Sequence, residues 1–383
     1  MKQYKSILVY GFALFAMFFG SGNLVFPIKI GQLTGVYWFL GFLGLFITGI
    51  ILPFLGLFVV KLHKGDYHAF FKEAGTIAKI ILPLFTLSLL GSFGVVPRCI
   101  TVAYGGMNYV APQISLIVFS TIFCIITFFF CLQDQRMIQV LGKWMSPILL
   151  ISLIVLIISG IIQAPSLLLS LENTVNYTSQ KAFYNGFLTG YQTMDLFAAF
   201  FFSSLMFNQI QKMMSPDATH KEIIKFSIKP SILGASLLSL VYLGFVYLGA
   251  HFSDLVAKIE PEFMLATIAK HILGSNATFL IAIAMLFSCL TTAVALNNIY
   301  ARYLCSLFNL KDDKFAIILI GTTIISYLVS LFDFNGIAAF LGPLLSISYP
   351  SIILLTILSI FTRKWRIFKI CSFYGVLLIM ILI

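Results

Sequence analysis

The sequence predicts an all-α polytopic membrane protein with about eleven transmembrane helices, and three observations carry that expectation. Of 383 residues, 60% are hydrophobic and only 10% charged, with a mean hydropathy of +1.03. Apolar runs of roughly 20 residues recur along the chain, each long enough to cross ~30 Å of hydrocarbon at ~1.5 Å per residue. Two of these runs carry glycine-bearing polar interruptions, at Gly20-Ser21-Gly22-Asn23 (with Pro27 after them) and at Gly190-Tyr191-Gln192-Thr193-Met194-Asp195. Backbone freed from helical bonding at membrane depth is tolerated only where protein or a water-filled cavity encloses it, as in the discontinuous helices of transporters.

The runs read as spans at 7–27, 36–60, 80–105, 113–132, 144–162, 185–209, 231–250, 277–301, 315–332, 337–359 and 370–383. The first follows Lys2 and Lys5, as a signal peptide would, but apolar character resumes at Leu24-Val25-Phe26 without an Ala-x-Ala-like site. It is therefore expected to be a retained, broken helix. The third span contains Pro97-Arg98 and the sixth contains Asp195, the two formal charges inside predicted spans. An ionisable group at membrane depth is a functional candidate by default. Either these two pair with each other or local carbonyls and fix helix packing, or Arg98 sits at a break beside Pro97 and snorkels. In the eighth span Ser288, Thr291 and Thr292 share one helical face. Their hydroxyls suit a hard monovalent cation or, equally, bond the preceding turn and serve packing. The remaining spans rest on apolar length alone, and the last covers only residues 370–383.

The interruptions in spans 1 and 6, five helices apart, predict a 5+5 inverted repeat within one transporter domain, 1–383. Its halves are 7–162 and 185–359, with 370–383 as a peripheral helix. The net charge of +11 reads as topology and not as a nucleic-acid footprint, because nineteen of the 24 Lys and Arg residues fall in alternate loops. That asymmetry predicts a cytoplasmic N-terminus. Six cysteines show no Cys-x-x-Cys pair and five histidines no metal-ligand spacing, so neither a disulfide framework nor a zinc site is expected. Paired carboxylates and His-Asp arrangements are missing from the spans, which argues against a membrane enzyme. One chain of dissimilar spans offers no symmetric filter, which argues against a channel.

Several motifs now carry a resemblance. The segment from Gly11 through Gly20-Ser21-Gly22-Asn23 to Pro27 resembles the opening of the bacterial branched-chain amino acid carrier family. Val96-Pro97-Arg98-Cys99-Ile100-Thr101-Val102-Ala103-Tyr104 is similar to that family's third-helix signature, and Gly190-Tyr191-Gln192-Thr193-Met194-Asp195 to its sixth-helix segment. The resemblance covers most of the chain and implies the broken-helix fold of the sodium-coupled leucine transporter. It implies a multi-pass protein of the bacterial cytoplasmic (inner) membrane, importing leucine, isoleucine and valine by alternating access, with no cofactor beyond a coupling ion. Sodium is the expected ion, a proton the alternative through Asp195. By the same correspondence Ser288, Thr291 and Thr292 would bind the cation with carbonyls near Ala16 and Phe19, and Asn23 would serve a second ion or the substrate. The amide N–H groups of Ser21 and Gly22, at a helix N-terminus, would receive the substrate carboxylate. Carbonyls near Gln192, Thr193 and Asp195 would take its ammonium, and Tyr104 and Phe197 would wall the aliphatic pocket. The family usually has twelve helices, so a truncation, the peripheral helix and the oligomeric state stay open.

Overall fold

The computed structural model describes residues 2–132, 136–165, 178–214, 219–362 and 365–382. Arg363 and Lys364, two of the expected cytoplasmic charges, lie outside the described residues. Helices dominate and no strand occurs among the described residues.

The first span is two helices, α1 (Lys2–Phe18) and α2 (Ser21–Thr34). The break is local chemistry: Gly20 is extended at φ −122° and ψ −158°, and its N–H donates to the Asn23 side chain at 3.2 Å instead of to an α1 carbonyl. Pro27 lacks an N–H, so the Asn23 carbonyl also has no helical donor. Gly35, at φ +47°, ends α2 and turns the chain into α3 (Trp38–Phe46), a π-helical segment at Ile47–Ile51, and α4 (Leu52–Leu62). Asp66 caps the short α5 (Tyr67–Phe71).

The third span is also broken. α6 (Ala78–Leu90) and α7 (Val95–Met107) are separated by residues 91–94, Gly-Ser-Phe-Gly. The expectation of a break at Pro97 with a snorkelling Arg98 is therefore corrected: Pro97 lies in the first turn of α7, where a missing N–H costs little, and Arg98 is fully buried. Next come α8 (Leu116–Leu132) and α9 (Arg136–Gln163). The sixth span divides into α10 (Ser179–Thr193) and α11 (Asp195–Met213) at Met194, which adopts left-handed φ +60°. A Thr219–Glu222 capping box starts α12 (His220–His251), followed by α13 (Ser253–Val256) and α14 (Pro261–Leu307), which kinks at Gly274. α15 (Phe315–Ser330), α16 (Asp333–Phe361) and α17 (Arg366–Leu382) complete the chain. Each of the eleven expected spans thus coincides with a helix or a broken pair.

Two close helix contacts position the breaks. A Cβ on Gly31 would lie 2.0 Å from the Val246 carbonyl oxygen, so α2 lies directly against α12. Likewise a Cβ on Gly186 would lie 2.0 Å from the Gly41 carbonyl oxygen, so α10 lies directly against α3. The first span therefore rides on the seventh, and the sixth on the second. Around this core, α8 and α9 expose Ile117, Ile125, Phe129, Ile148, Ile151 and Ile158. Such apolar outer faces fit contact with lipid. Ser21–Leu62, Ala78–Met107, His220–His251, Thr278–Leu307 and Asp333–Phe361 are each long and apolar enough to cross a membrane.

Candidate functional site

The two main breaks meet. A Cβ on Gly22 would lie 3.3 Å from the Thr193 Cα and 3.4 Å from the Phe26 ring, so the start of α2 abuts the end of α10 backbone to backbone. Asn23 Nδ2 donates to Asp195 Oδ2 at 2.8 Å, and to the Tyr242 hydroxyl, which itself donates to the same carboxylate oxygen at 3.1 Å. Asn23 and Asp195 are 2% and 3% exposed and Tyr242 is fully buried. Spans 1, 6 and 7 are thereby joined through one carboxylate. Asp195 opens α11, where the positive end of the helix dipole favours a negative charge, and its N–H donates to Thr193 Oγ1 at 3.4 Å.

Helix termini supply the remaining polar groups. The N–H groups of Ser21 and Gly22 begin α2 and have no intrahelical acceptor, while at the end of α10 the Gly190 and Tyr191 carbonyls accept from Thr193 Oγ1 at 2.9 Å and the Met194 N–H at 3.1 Å. The Ser21 hydroxyl accepts from the Cys99 thiol at 3.5 Å. The Gln192 carbonyl is already engaged, accepting from Arg98 Nη1 at 2.8 Å, whereas Gln192 Oε1 is buried without a hydrogen-bond partner. Arg98 and Asp195 do not pair: the ion pairs found among the described residues both involve Glu73, with His63 and with Lys369.

The three hydroxyls of α14 behave differently. Ser288 Oγ donates to the Phe19 carbonyl at 2.7 Å, joining α14 to the end of α1. Thr291 Oγ1 donates to carbonyls of its own helix, Phe287 at 2.9 Å and Ser288 at 3.0 Å. Thr292 Oγ1 is buried with no partner and faces Gly20, whose Cβ would lie 3.2 Å from it. Ala16, half-buried, lies in the last turn of α1, and the Gly20 N–H that would cap its carbonyl bonds Asn23 instead. Phe19, Thr292, Ser288 and Ala16 thus bring oxygen atoms to one break, and Thr291 turns its hydroxyl back on its helix.

The Tyr104 ring lies against Phe119 at 5.8 Å and Phe263 at 6.0 Å. Phe197 is fully buried and packs on Tyr349 at 4.6 Å. Tyr349, from α16, also stacks on Tyr191 at 4.6 Å, and its hydroxyl has no hydrogen-bond partner. The sequence reading missed Tyr242 and Tyr349. Nothing marks them among 16 tyrosines, since each is one aromatic in an apolar run.

Comparison with known proteins bears on family and fold. Residues 3–383 match the family profile described as branched-chain amino acid transport protein. The chain is 30% identical over 382 residues to the branched-chain amino acid permease BrnQ of Bacillus subtilis, covering 95% of this chain and 83% of that protein. It is 27% identical over 378 residues to the permease BraB of the same organism, covering 96% and 83%. Among solved structures, Mhp1, a nucleobase-cation-symport-1 family transporter in a closed conformation, aligns with a TM-score of 0.64 and 14% identity over 98% of this chain and 91% of its own. MhsT in complex with L-phenylalanine aligns with a TM-score of 0.62 and 18% identity, over 97% of each chain. The Eremococcus coleocola manganese transporter gives 0.65 and 15%, over 99% and 86%. At these identities the three structures speak for the fold alone.

Proposed function

The chain belongs to the branched-chain amino acid transport protein family and is a secondary transporter of branched-chain amino acids, and from that premise we propose how it carries and couples them. The amino acid binds where α2 and α10 meet. The Ser21 and Gly22 N–H groups receive its carboxylate, because a helix N-terminus combines unpaired donors with positive partial charge. Its ammonium is received by the carbonyls ending α10, about Thr193, and by the Asp195 carboxylate. Asn23 holds that carboxylate and so links the substrate site to α12. A pocket distinguishes single methylenes by only ~1–3 kcal/mol, so leucine, isoleucine and valine share it.

Sodium is the coupling ion in this reading, held by Thr292, Ser288 and the carbonyls of Ala16 and Phe19. The observation that carries it is Thr292 Oγ1, a buried oxygen without a partner facing the α1–α2 break. Buried polar atoms are nearly always satisfied, and a hydroxyl left bare beside the Ala16 and Phe19 carbonyls, the second of which accepts only from Ser288 among the described residues, suits a hard cation. Thr291 supports the cation only through its neighbours, because its hydroxyl is committed to its own helix. The N-terminus lies in the cytoplasm of a bacterial cell, by the excess of Lys and Arg in alternate loops, so Gly35 and Glu262 lie at the outer end.

Leucine uptake into proteoliposomes under separately imposed sodium and pH gradients tests the proposal. Accumulation driven by inward sodium at constant pH is expected. Accumulation that follows the pH gradient and ignores sodium would overturn the ion assignment and return Asp195 to the role of proton carrier.

A further inference from the structure

Arg98 is the most unusual charge in the molecule. It is fully buried and makes no direct ion pair with a carboxylate among the described residues; the Asp195 carboxylate acts on it only through space, its Oδ2 being taken by Asn23 and Tyr242. Its Nη1 donates to the Gln192 carbonyl at 2.8 Å and its Nη2 to the Met194 thioether at 2.9 Å, both neutral acceptors and the second a weak one. Its Nε is buried with no acceptor. The guanidinium lies 5.4 Å from the Phe26 ring centroid and 6.0 Å from that of Phe334, and these two rings are 5.4 Å apart. Phe26 belongs to α2, Gln192 and Met194 to the α10–α11 break, and Phe334 to the first turn of α16.

Two aromatic faces and two neutral acceptors soften the burial of a guanidinium but do not neutralise it. The arrangement in which α2, the α10–α11 break and α16 close around Arg98 is therefore stabilised by an anion in direct contact with it, which the through-space charge of Asp195 does not replace. The place of the anion follows from geometry. The Phe26 ring that faces Arg98 also meets the Cβ position of Gly22 at 3.4 Å, and Cys99, next to Arg98 in sequence, bonds Ser21. Arg98 and the Gly22 end of α2 thus border the same Phe26 ring, with Ser21 bonded to the residue after Arg98.

We propose that Arg98 binds the carboxylate of the transported amino acid together with those amides, and that closure around the substrate requires this carboxylate. The assignment rests on the substrate site proposed above. It makes Arg98 a specificity residue that separates amino acids from amines and alcohols of the same shape, with its free Nε–H and full charge supplying what two neutral amides cannot.

The test compares leucine with leucinol, which keeps the ammonium and side chain and lacks the carboxylate. Each is used to compete with labelled leucine in proteoliposomes containing wild-type, Arg98→Lys or Arg98→Met protein. Wild type should favour leucine by roughly 100-fold or more, the scale on which a site built for a polar group rejects an analogue without it. Arg98→Lys should keep most of that preference, and Arg98→Met should lose at least about tenfold of it, leaving only the amides to read the carboxylate. An unchanged leucine-to-leucinol ratio in Arg98→Met overturns the proposal. Should Arg98→Met fail to insert, wild-type protein decides through alkylation of Cys99 by a permeant maleimide, read by mass spectrometry. Leucine and 4-methylpentanoate should protect Cys99 and leucinol should not, whereas equal protection by leucinol overturns the proposal. Wild-type protein that neither binds nor transports leucine would instead sink the substrate site on which the assignment rests, a distinguishable failure.

Discussion

Thr291 and Thr292 are adjacent, share one residue type and differ in what their hydroxyls do. Thr291 satisfies itself on its own helix, and Thr292 is left bare at the α1–α2 break. Valine has nearly the same volume, so Thr292→Val should raise the sodium concentration for half-maximal leucine uptake by roughly tenfold, on the ~1–3 kcal/mol scale of removing one oxygen from a buried charge. Thr291→Val should change it by less than about twofold, since only a local helix bond is lost. Equal sodium responses in the two variants would sink the separation drawn between them. Asp195→Asn is a comparably clean change, because one amide oxygen can still accept from both Asn23 and Tyr242 while the charge disappears. If Asp195 receives the ammonium, the variant should lose both leucine exchange and net accumulation. Loss of accumulation with exchange intact would identify a proton carrier instead. Asp195 and the Gly20–Asn23 motif were legible because each places polarity in an apolar run, where it needs a reason. Tyr242, Phe26 and Phe334 were not, because a chain with 40 phenylalanines and 16 tyrosines gives no sign of which ring lies beside a charge.

At the scale of elements, the broken helices are held by backbone contact and not by side-chain bulk. The close approach of Gly186 to the Gly41 carbonyl brings α10 against α3, and that of Gly31 to the Val246 carbonyl brings α2 against α12. Spans 6 and 2 thus meet as spans 1 and 7 do, the correspondence expected if 7–162 and 185–359 are inverted copies. Gly186→Leu must push two backbones apart and should cost at least ~1–3 kcal/mol, read as a lowered thermal midpoint in detergent. Gly321→Leu, on α15 with nothing within 4 Å of its Cβ position, should leave the midpoint nearly unchanged. Comparable losses in both variants would remove the close approach as the cause. Interruptions made of glycine with serine and asparagine could be read from sequence, because those residue types leave helical geometry cheaply and bond their own backbone. The break in the third span was misplaced at Pro97. Proline at a helix start is nearly free, so the residue does not say whether it ends one helix or begins the next, and glycines such as Gly91 and Gly94 are common in unbroken membrane helices.

For the whole molecule, alternating access requires that each end of the bundle open while the other stays closed, and the two ends are fastened by different chemistry. Near the N-terminal end, Lys369 of α17, 1% exposed in its side chain, pairs with Glu73 at 2.5 Å, and His63 meets the same carboxylate at 3.5 Å. At the opposite end the start of α14 presses on α7, where a Cβ on Gly105 would lie 2.2 Å from the Glu262 carbonyl oxygen. Glu262 lies outside the apolar span Thr278–Leu307 and has one carboxylate oxygen buried without a partner. Burial, foremost, pushes its carboxyl up to about 7, with the nearby Asp333 and Glu260 charges adding to the rise and backbone hydrogen bonds opposing it. The other charged groups there are partly committed: Glu260 accepts from Asn335 at 2.5 Å, Asp333 accepts from the Gly336 N–H at 2.8 Å, and Lys29 of α2 feels both glutamates. The sign follows from linkage. A carboxyl whose folded pKa lies above its ordinary 4.5 contributes stability to the closed arrangement that is fully present below that value and lost as pH rises through about 7. Closure at this end should therefore weaken between pH 5 and 8 by on the order of 1–3 kcal/mol, against a background set by the other titrating groups. Glu262→Gln is neutral at every pH and should remove that part of the dependence. Thermal midpoints in detergent for wild type and Glu262→Gln, measured across this range, should converge toward pH 5 and separate toward pH 8, with the variant the more stable at the upper end. Parallel curves would mean that Glu262 is solvated as the transporter works, and that acidity does not help hold this end shut.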